Sequence, residues 1–250
     1  RVAPGPTSAL GPRPGAIRRS RGLGAAIAVA FAAAGAARLT LVARSPEALD
    51  DVARRARAHG AETTVHVADV TDAEALDAAF AAVGALDVLV CAAGTNVPQA
   101  LEEVDLAVAD RLWALNVRAT LHAARESAAR MKPGGVLVFL SSQMGHVGAP
   151  GRSVYCATKH AVEGLTRALA VELAPRGLRV VAIAPTFVET ELTAPFLAAP
   201  GFREQVVAQI PLGRLATVED VAAAAVFAAS PAAASVTGTS LRVDGGWTAR

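Results

Sequence analysis

The sequence predicts an α/β protein in which a doubly wound parallel sheet carries helices on both faces. From residue 22 onward, alanine-rich segments of helical period alternate with short β-branched or aliphatic runs, and connections of that length build right-handed βαβ units. Aromatic residues are 4% of the chain while hydrophobic residues are 53%, so alanine and the aliphatics carry the apolar content. That composition favours closely packed helices over an aromatic-rich sandwich. The 250 residues suit one domain with a sizeable core, and neither an internal repeat nor a linker divides them.

Each element has a local reason. Gly22 to Gly35 is an apolar helix opened by glycines, and Arg38 to Arg44 (RLTLVAR) a strand. Pro46 to His59 is a helix with Ser45 as N-cap, Pro46 in its first turn and Gly60 beyond its end. Thr63 to Val67 is a strand, Asp72 to Val83 a helix, and Asp87 to Cys91 a buried strand. A long helical stretch, interrupted near Asp105, runs to Met131. Gly135 to Ser141 is a strand, Tyr155 to Leu173 a helix, and Arg179 to Ile183 a strand. Thr217 caps a helix ending near Ala229, and Ser240 to Val243 is the last strand. Residues 1–19 stand apart. Over RVAPGPTSALGPRPGAIRRS there are four prolines and three glycines and no strand pattern, where a strand should feed the turn at Gly22. An upstream shift of reading frame would leave such a break, and re-reading the coding DNA in its other frames tests that.

Charge and cysteine content exclude several roles. A net charge of +2 gives no reason to expect nucleic acid or an anionic membrane as partner. The longest apolar stretch, Gly22 to Ala37, is interrupted by Gly35 and is shorter than the ~20 residues that cross a bilayer. The first residues lack the apolar core of a signal peptide. Two cysteines, Cys91 and Cys156, make neither a disulfide framework nor a metal site, so a reduced, cytoplasmic setting is expected.

Three features carry chemistry. Gly22-Leu23-Gly24 opens a helix whose bare N–H groups could approach a phosphate, although an ordinary packing turn reads the same way. Tyr155 and Lys159 stand four residues apart on one helix face, where an ammonium favours the phenolate; the alternative is a partly exposed pair on an amphipathic helix. Scarcity weighs against that alternative, because Tyr155 is the chain's one tyrosine and Lys159 one of two lysines, beside Lys132. Ser142 leaves a hydrophobic strand at the sheet's carboxyl edge, where open parallel sheets bind ligands.

With SRGLG at 20–24, Asp69-Val70, Asn116 in LNV, Ser142, YCATK at 155–159, PTFVET at 185–190 and VDGG at 243–246, the sequence resembles the short-chain dehydrogenases/reductases, most closely the 3-oxoacyl carrier-protein reductases and sugar or polyol dehydrogenases. The resemblance implies a Rossmann-like fold over 20–250 and hydride transfer between NADP(H) and a carbonyl or secondary alcohol. It assigns Tyr155 as general acid/base, Lys159 as the group lowering its pKa and holding the nicotinamide ribose, Ser142 as donor to the reacting oxygen, and Asn116 as holder of a relay water. Cofactor contacts would come from Arg21, Gly22, Leu23, Gly24, Arg44, Asp69, Val70, Ala92, Gly94, Tyr155, Lys159, Pro185, Val188 and Thr190, with no metal. NADP(H) is preferred over NAD(H), itself admissible, because Arg21 and Arg44 offer guanidinium groups to a 2′-phosphate. Solvated surface charge is the alternative reading of those two.

Departures from the family pattern are Ile17-Arg18 for Thr-Gly in the turn, Cys91-Ala92-Ala93-Gly94 for Asn-Asn-Ala-Gly, Val181 for a frequent asparagine, and Thr186 for the glycine after Pro185. The incomplete turn motivates a second reading, a noncatalytic dinucleotide-binding or scaffolding relative. Gln143, His146 and Arg152 could meet a polar or acidic substrate or serve only their own loop. Residues 190–209, with Phe196 and Phe202, resemble a substrate lid whose apolar groups cover an acyl chain or pack on the core. The helices Asp105 to Met131 and Tyr155 to Leu173 resemble those through which relatives form homotetramers.

Overall fold

A computed structural model describes residues 22–249. The elements in chain order are α1 (Gly22–Ala33), β1 (Arg38–Ala43), α2 (Pro46–Arg57), β2 (Glu62–Val67), α3 (Ala73–Ala81), β3 (Leu86–Cys91), α4 (Leu106–Trp113), α5 (Ala119–Arg130), β4 (Met131–Leu140), α6 (Ser153–Leu173), β5 (Arg179–Pro185), α7 (Ala194–Leu197), α8 (Phe202–Ala208), α9 (Val218–Ala229) and β6 (Thr239–Val243). All strand pairings are parallel, in the orders β1-β2 and β3-β4-β5-β6. Among the described residues, therefore, the expected sheet forms two paired groups. The strand that should precede Gly22, and the whole 1–19 segment, lie outside the described residues.

Alternation along β4 and β5 builds a core on each face of the larger sheet. Val136, Val138, Val181 and Ile183 meet Ile27 of α1 and Val221 and Ala225 of α9. Leu137, Phe139 and Val180 turn the other way, against Ala124 and Ala128 of α5 and Val162 and Leu173 of α6. Strands buried on both faces read as continuous apolar runs, as GVLVFL and RVVAIA do. Caps fix the helix starts: Ser45 accepts from the Ala48 amide, Asp72 from those of Glu74 and Ala75, and Thr217 and Asp220 form a reciprocal capping box.

Two differences from the sequence reading concern the stretch between β3 and β4. Residues 92–100 are not helical, because Gly94, Asn96 and Pro98 interrupt any helical hydrogen-bonding run, and helix begins in earnest only at Leu106, where Asp105 caps it by accepting from the Ala107 amide. From there to Arg130 the helix is continuous except for a π-helical turn at Ala114–Arg118. Strand β4 starts at Met131, ahead of the expected Gly135. The segment 190–209 forms α7 and α8. Leu197 and Val206 of these helices pack with Ile210 and Leu215 into a small cluster also touched by Phe187, Phe202 and Trp247.

Candidate active site

The carboxyl ends of β3, β4 and β5 gather the residues singled out by the sequence. Ser142 follows β4 with extended backbone, and its Oγ accepts from the Met144 amide at 3.1 Å, capping a short 3₁₀ turn over Gln143–Gly145. Gly145 lets that turn lie against α6: a Cβ there would stand 2.8 Å from Ser141 Oγ and 3.1 Å from the Lys159 carbonyl oxygen. The turn thus holds Ser142 toward α6, near enough to Tyr155 for its hydroxyl to pull the phenol pKa down. Lys159 Nζ lies 5.6 Å from the centroid of the same ring and donates to the Leu140 carbonyl at 2.8 Å.

Electrostatics at this trio differ from the simple expectation. Loss of hydration is the largest influence on Tyr155 and raises its pKa; the Ser142 hydrogen bond and the Arg152 charge pull the other way and do not prevail. Burial also pushes the Lys159 ammonium down to about 8, against the opposing pull of Glu163.

Asn116 sits in the π-helical turn and is buried. Its Oδ1 accepts from the Thr95 amide at 3.0 Å, while Nδ2 donates to the Thr95 carbonyl at 3.0 Å and to Thr158 Oγ1 at 3.1 Å. The side chain therefore clamps the loop leaving β3 to α6. A π turn widens the helix locally and is frequent at functional sites.

The described part of the cofactor region fits a dinucleotide. Helix α1 has no acidic residue in its first turn, and Gly22 opens it at φ +78°. A Cβ on Gly24 would lie 3.2 Å from that of Ala92, and one on Gly94 would lie 3.2 Å from Asn116 Oδ1 and 3.5 Å from Lys159 Nζ. Glycine at both places lets α1 approach the loop after β3, and that loop approach Asn116 and Lys159, more closely than a side chain would allow. Leu23 packs into the core beneath it, and Val70 packs with Leu76, Phe80 and Ala123. Asp69 accepts from the Thr71 amide and hydroxyl at 2.9 and 2.7 Å, which holds its carboxyl below its usual range, and Arg44 Nη1 is 3.8 Å away. Pro185 is buried at the end of β5, Val188 bridges to Ala216, and the Thr190 amide donates to Thr193 Oγ1 at 3.0 Å. Arg21 lies outside the described residues.

Several participants were not singled out in the sequence. Glu163 is buried one turn below Lys159, with Ser240 Oγ donating to its Oε1 at 3.0 Å and His146 Nε2 3.2 Å from the same oxygen. Its place four residues after Lys159, on the face carrying Tyr155, was a readable signal. Thr158 and Thr95 had none, since their roles arise from the Asn116 clamp. Cys91, with its thiol pushed up to about 12 by burial, is an inert side chain at the end of β3.

Residues 15–248 match the family described as enoyl-(acyl carrier protein) reductase. The chain belongs to the short-chain dehydrogenase/reductase family. Galactitol 2-dehydrogenase (L-tagatose-forming) of Cereibacter sphaeroides is 44% identical over 235 residues, covering 91% of each chain. Cis-4-hydroxycyclohexanecarboxylate dehydrogenase of Sinomonas cyclohexanicum is 40% identical over 235 residues, covering 91% of this chain and 93% of the relative. Among solved structures, a gluconate 5-dehydrogenase from Burkholderia cenocepacia J2315, in complex with NADP and tartrate, superposes with a TM-score of 0.85 at 31% identity and 92% coverage of both chains. As a short-chain dehydrogenase/reductase, the protein is an oxidoreductase acting on CH–OH groups. No described helix is long and apolar enough to cross a membrane.

Proposed function

We propose that the protein interconverts a polyhydroxylated secondary alcohol and its ketone using NADP(H), with Tyr155 as general acid/base. The observation that carries this reading is the approach of Ser142 and Lys159 to one phenol: a hydroxyl close enough to pull its pKa down and an amine 5.6 Å from its ring centroid.

When bound, the nicotinamide cofactor supplies or accepts the hydride. The Gly22-Leu23-Gly24 helix end, Ala92 and Gly94 would hold its phosphates and ribose, Asp69 and Val70 its adenine, and Pro185, Val188 and Thr190 its carboxamide end. Arg44, exposed beside Asp69, would meet a 2′-phosphate, which is the ground for preferring NADP(H). In reduction the phenol O–H of Tyr155 protonates the substrate oxygen as negative charge develops there, and the Ser142 hydroxyl donates a second hydrogen bond to that oxygen. A raised Tyr155 pKa keeps the proton on the phenol at neutral pH, which suits the donor role. In oxidation the same residue must first lose its proton, and a cationic Lys159 beside it favours that loss.

Exposed Leu106, Trp113, Leu121 and Val171 on α4, α5 and α6 support assembly into a homo-oligomer through those helices. A reduced cytoplasmic setting agrees with two free cysteines. The noncatalytic reading gains nothing from the site, where Asn116, Ser142, Tyr155 and Lys159 converge. The test is a panel of ketoses, keto acids, 3-oxoacyl thioesters and simple ketones with NADPH and with NADH. Turnover is expected with polyhydroxylated ketones and faster with NADPH; no turnover with either cofactor would overturn the reading.

A further inference from the structure

Arg152 is the unspent charge beside the site. It immediately precedes α6, three residues before Tyr155, and its backbone is fixed: its amide donates to the Ala149 carbonyl, its carbonyl accepts from the Cys156 amide, and the Gly151 carbonyl accepts from the Gln99 amide. The side chain is therefore presented from a rigid base. Its guanidinium lies 5.2 Å from the centroid of the Phe196 ring, on α7 of the lid segment. Arg152 and Phe196 thus bring the start of α6, the helix that carries Tyr155, together with the lid segment. Yet Nη1 is buried with no hydrogen-bond partner, and no carboxylate among the described residues pairs with Arg152. Nor can an arginine cap α6, since it offers no acceptor to the first N–H groups of that helix. A buried guanidinium donor left open is costly unless something else fills it.

We propose that Arg152 is a specificity-determining residue that binds the carboxylate of a hydroxy- or keto-acid substrate, with Phe196 covering the pair. The proposal rests on the Tyr155 reading above and narrows its substrate to acids. A carboxylate fits better than a phosphate dianion because the nearby cations are otherwise engaged: Lys159 donates to the Leu140 carbonyl, and His146 is held by Glu163. One guanidinium fork matches one carboxylate in bidentate geometry.

The experiment compares a hydroxy acid with its neutral counterpart, gluconate against glucitol, in the wild-type protein and in Arg152→Gln and Arg152→Lys. Two readouts are used, NADP-linked oxidation and thermal stabilisation by each compound in the presence of NADP. The wild type should favour gluconate in both. Arg152→Gln should lose about ten- to hundredfold in kcat/KM for gluconate, the size of a lost hydrogen bond to a charged group, while glucitol changes less than about threefold. Arg152→Lys should recover part of the gluconate preference. Equal losses for both compounds would overturn the proposal, because a purely structural or phenol-tuning role moves both alike. So would a wild type that shows no preference for the acid in either readout. Turnover of glucitol without acid preference would refute the Arg152 assignment and leave the Tyr155 reading standing. Gluconate stabilisation that depends on Arg152 without turnover of either compound would support the assignment and count against the Tyr155 reading.

Discussion

Replacing Asn116 by alanine tests the clamp between the β3 loop and α6. The substitution removes three hydrogen bonds, to the Thr95 amide, the Thr95 carbonyl and Thr158 Oγ1. Each such bond contributes about 0.5–1.5 kcal/mol net, and an orphaned buried partner costs more. Thr158 keeps its bond to the Tyr155 carbonyl at 2.8 Å, so it is not orphaned. Thr95 is only half-buried and can recover part of its bonding from water. The expected loss is therefore about 2–3 kcal/mol, and at about 2–4 °C per kcal/mol for a chain of this size the melting temperature should fall by about 4–12 °C. Freed from Asn116, Gly94 and Thr95 should also hold cofactor less firmly, so KM for NADPH should rise. Asn116→Asp keeps the acceptor for the Thr95 amide but sets a carboxylate against the Thr95 carbonyl, and should be no better than alanine. Denaturant unfolding and NADPH titration measure both effects. A loss below about 0.5 kcal/mol with unchanged cofactor affinity would refute the clamp.

Three further outcomes follow from the same geometry. Burial lowers the Lys159 pKa from 10.5 to about 8, so the folded state binds fewer protons than the unfolded one between those values; its penalty is fully present below about 8, and stability should rise as pH climbs from there toward 10.5, a rise that Lys159→Met should flatten in denaturant titrations. Gly145→Ala would press a Cβ to 2.8 Å from Ser141 Oγ and should destabilise by about 1–3 kcal/mol while lowering kcat, because the turn carrying Ser142 must move; unchanged stability and kcat would contradict that packing. Arg44→Ala should raise KM for NADPH at least several-fold and leave that for NADH nearly unchanged, and equal effects on both would remove Arg44 from cofactor discrimination.

Much of this arrangement is legible in the sequence because local signals and the final fold agree. Ser45-Pro46 and Thr217 with Asp220 mark helix starts by capping chemistry alone. The runs Val136 to Leu140 and Val180 to Ala184 announce strands buried on both faces. Tyr155 and Lys159 fall on one face through helical spacing. What escapes the sequence depends on distant partners. The π-helical turn at Ala114–Arg118 leaves no local mark, since it is defined by where Asn116 must reach. The early start of β4 runs through Pro133 and Gly134, which read as a turn but join the strand where Leu86 pairs with Met131. Glu163 shares the Tyr155 and Lys159 face by spacing, but its burial is set by Ser240 and His146, from the far end of the chain and from the turn after β4, which close over it. The sign of the Tyr155 shift escapes for the same reason: spacing shows a lysine nearby but not how much hydration the phenol has lost.

The central claim is that one phenol, placed by Ser142 and Lys159, moves the proton. Its most direct measurement is the pH dependence of kcat for NADPH-linked reduction in the wild type and in Tyr155→Phe, with NADPH binding followed in parallel. The account predicts that the wild-type rate falls as pH rises through a phenol pKa above its ordinary value of about 10, and that Tyr155→Phe binds NADPH normally yet loses about 10² or more in kcat with no remaining dependence on that group. A Tyr155→Phe enzyme that turns over at the wild-type rate with the same pH profile would contradict it.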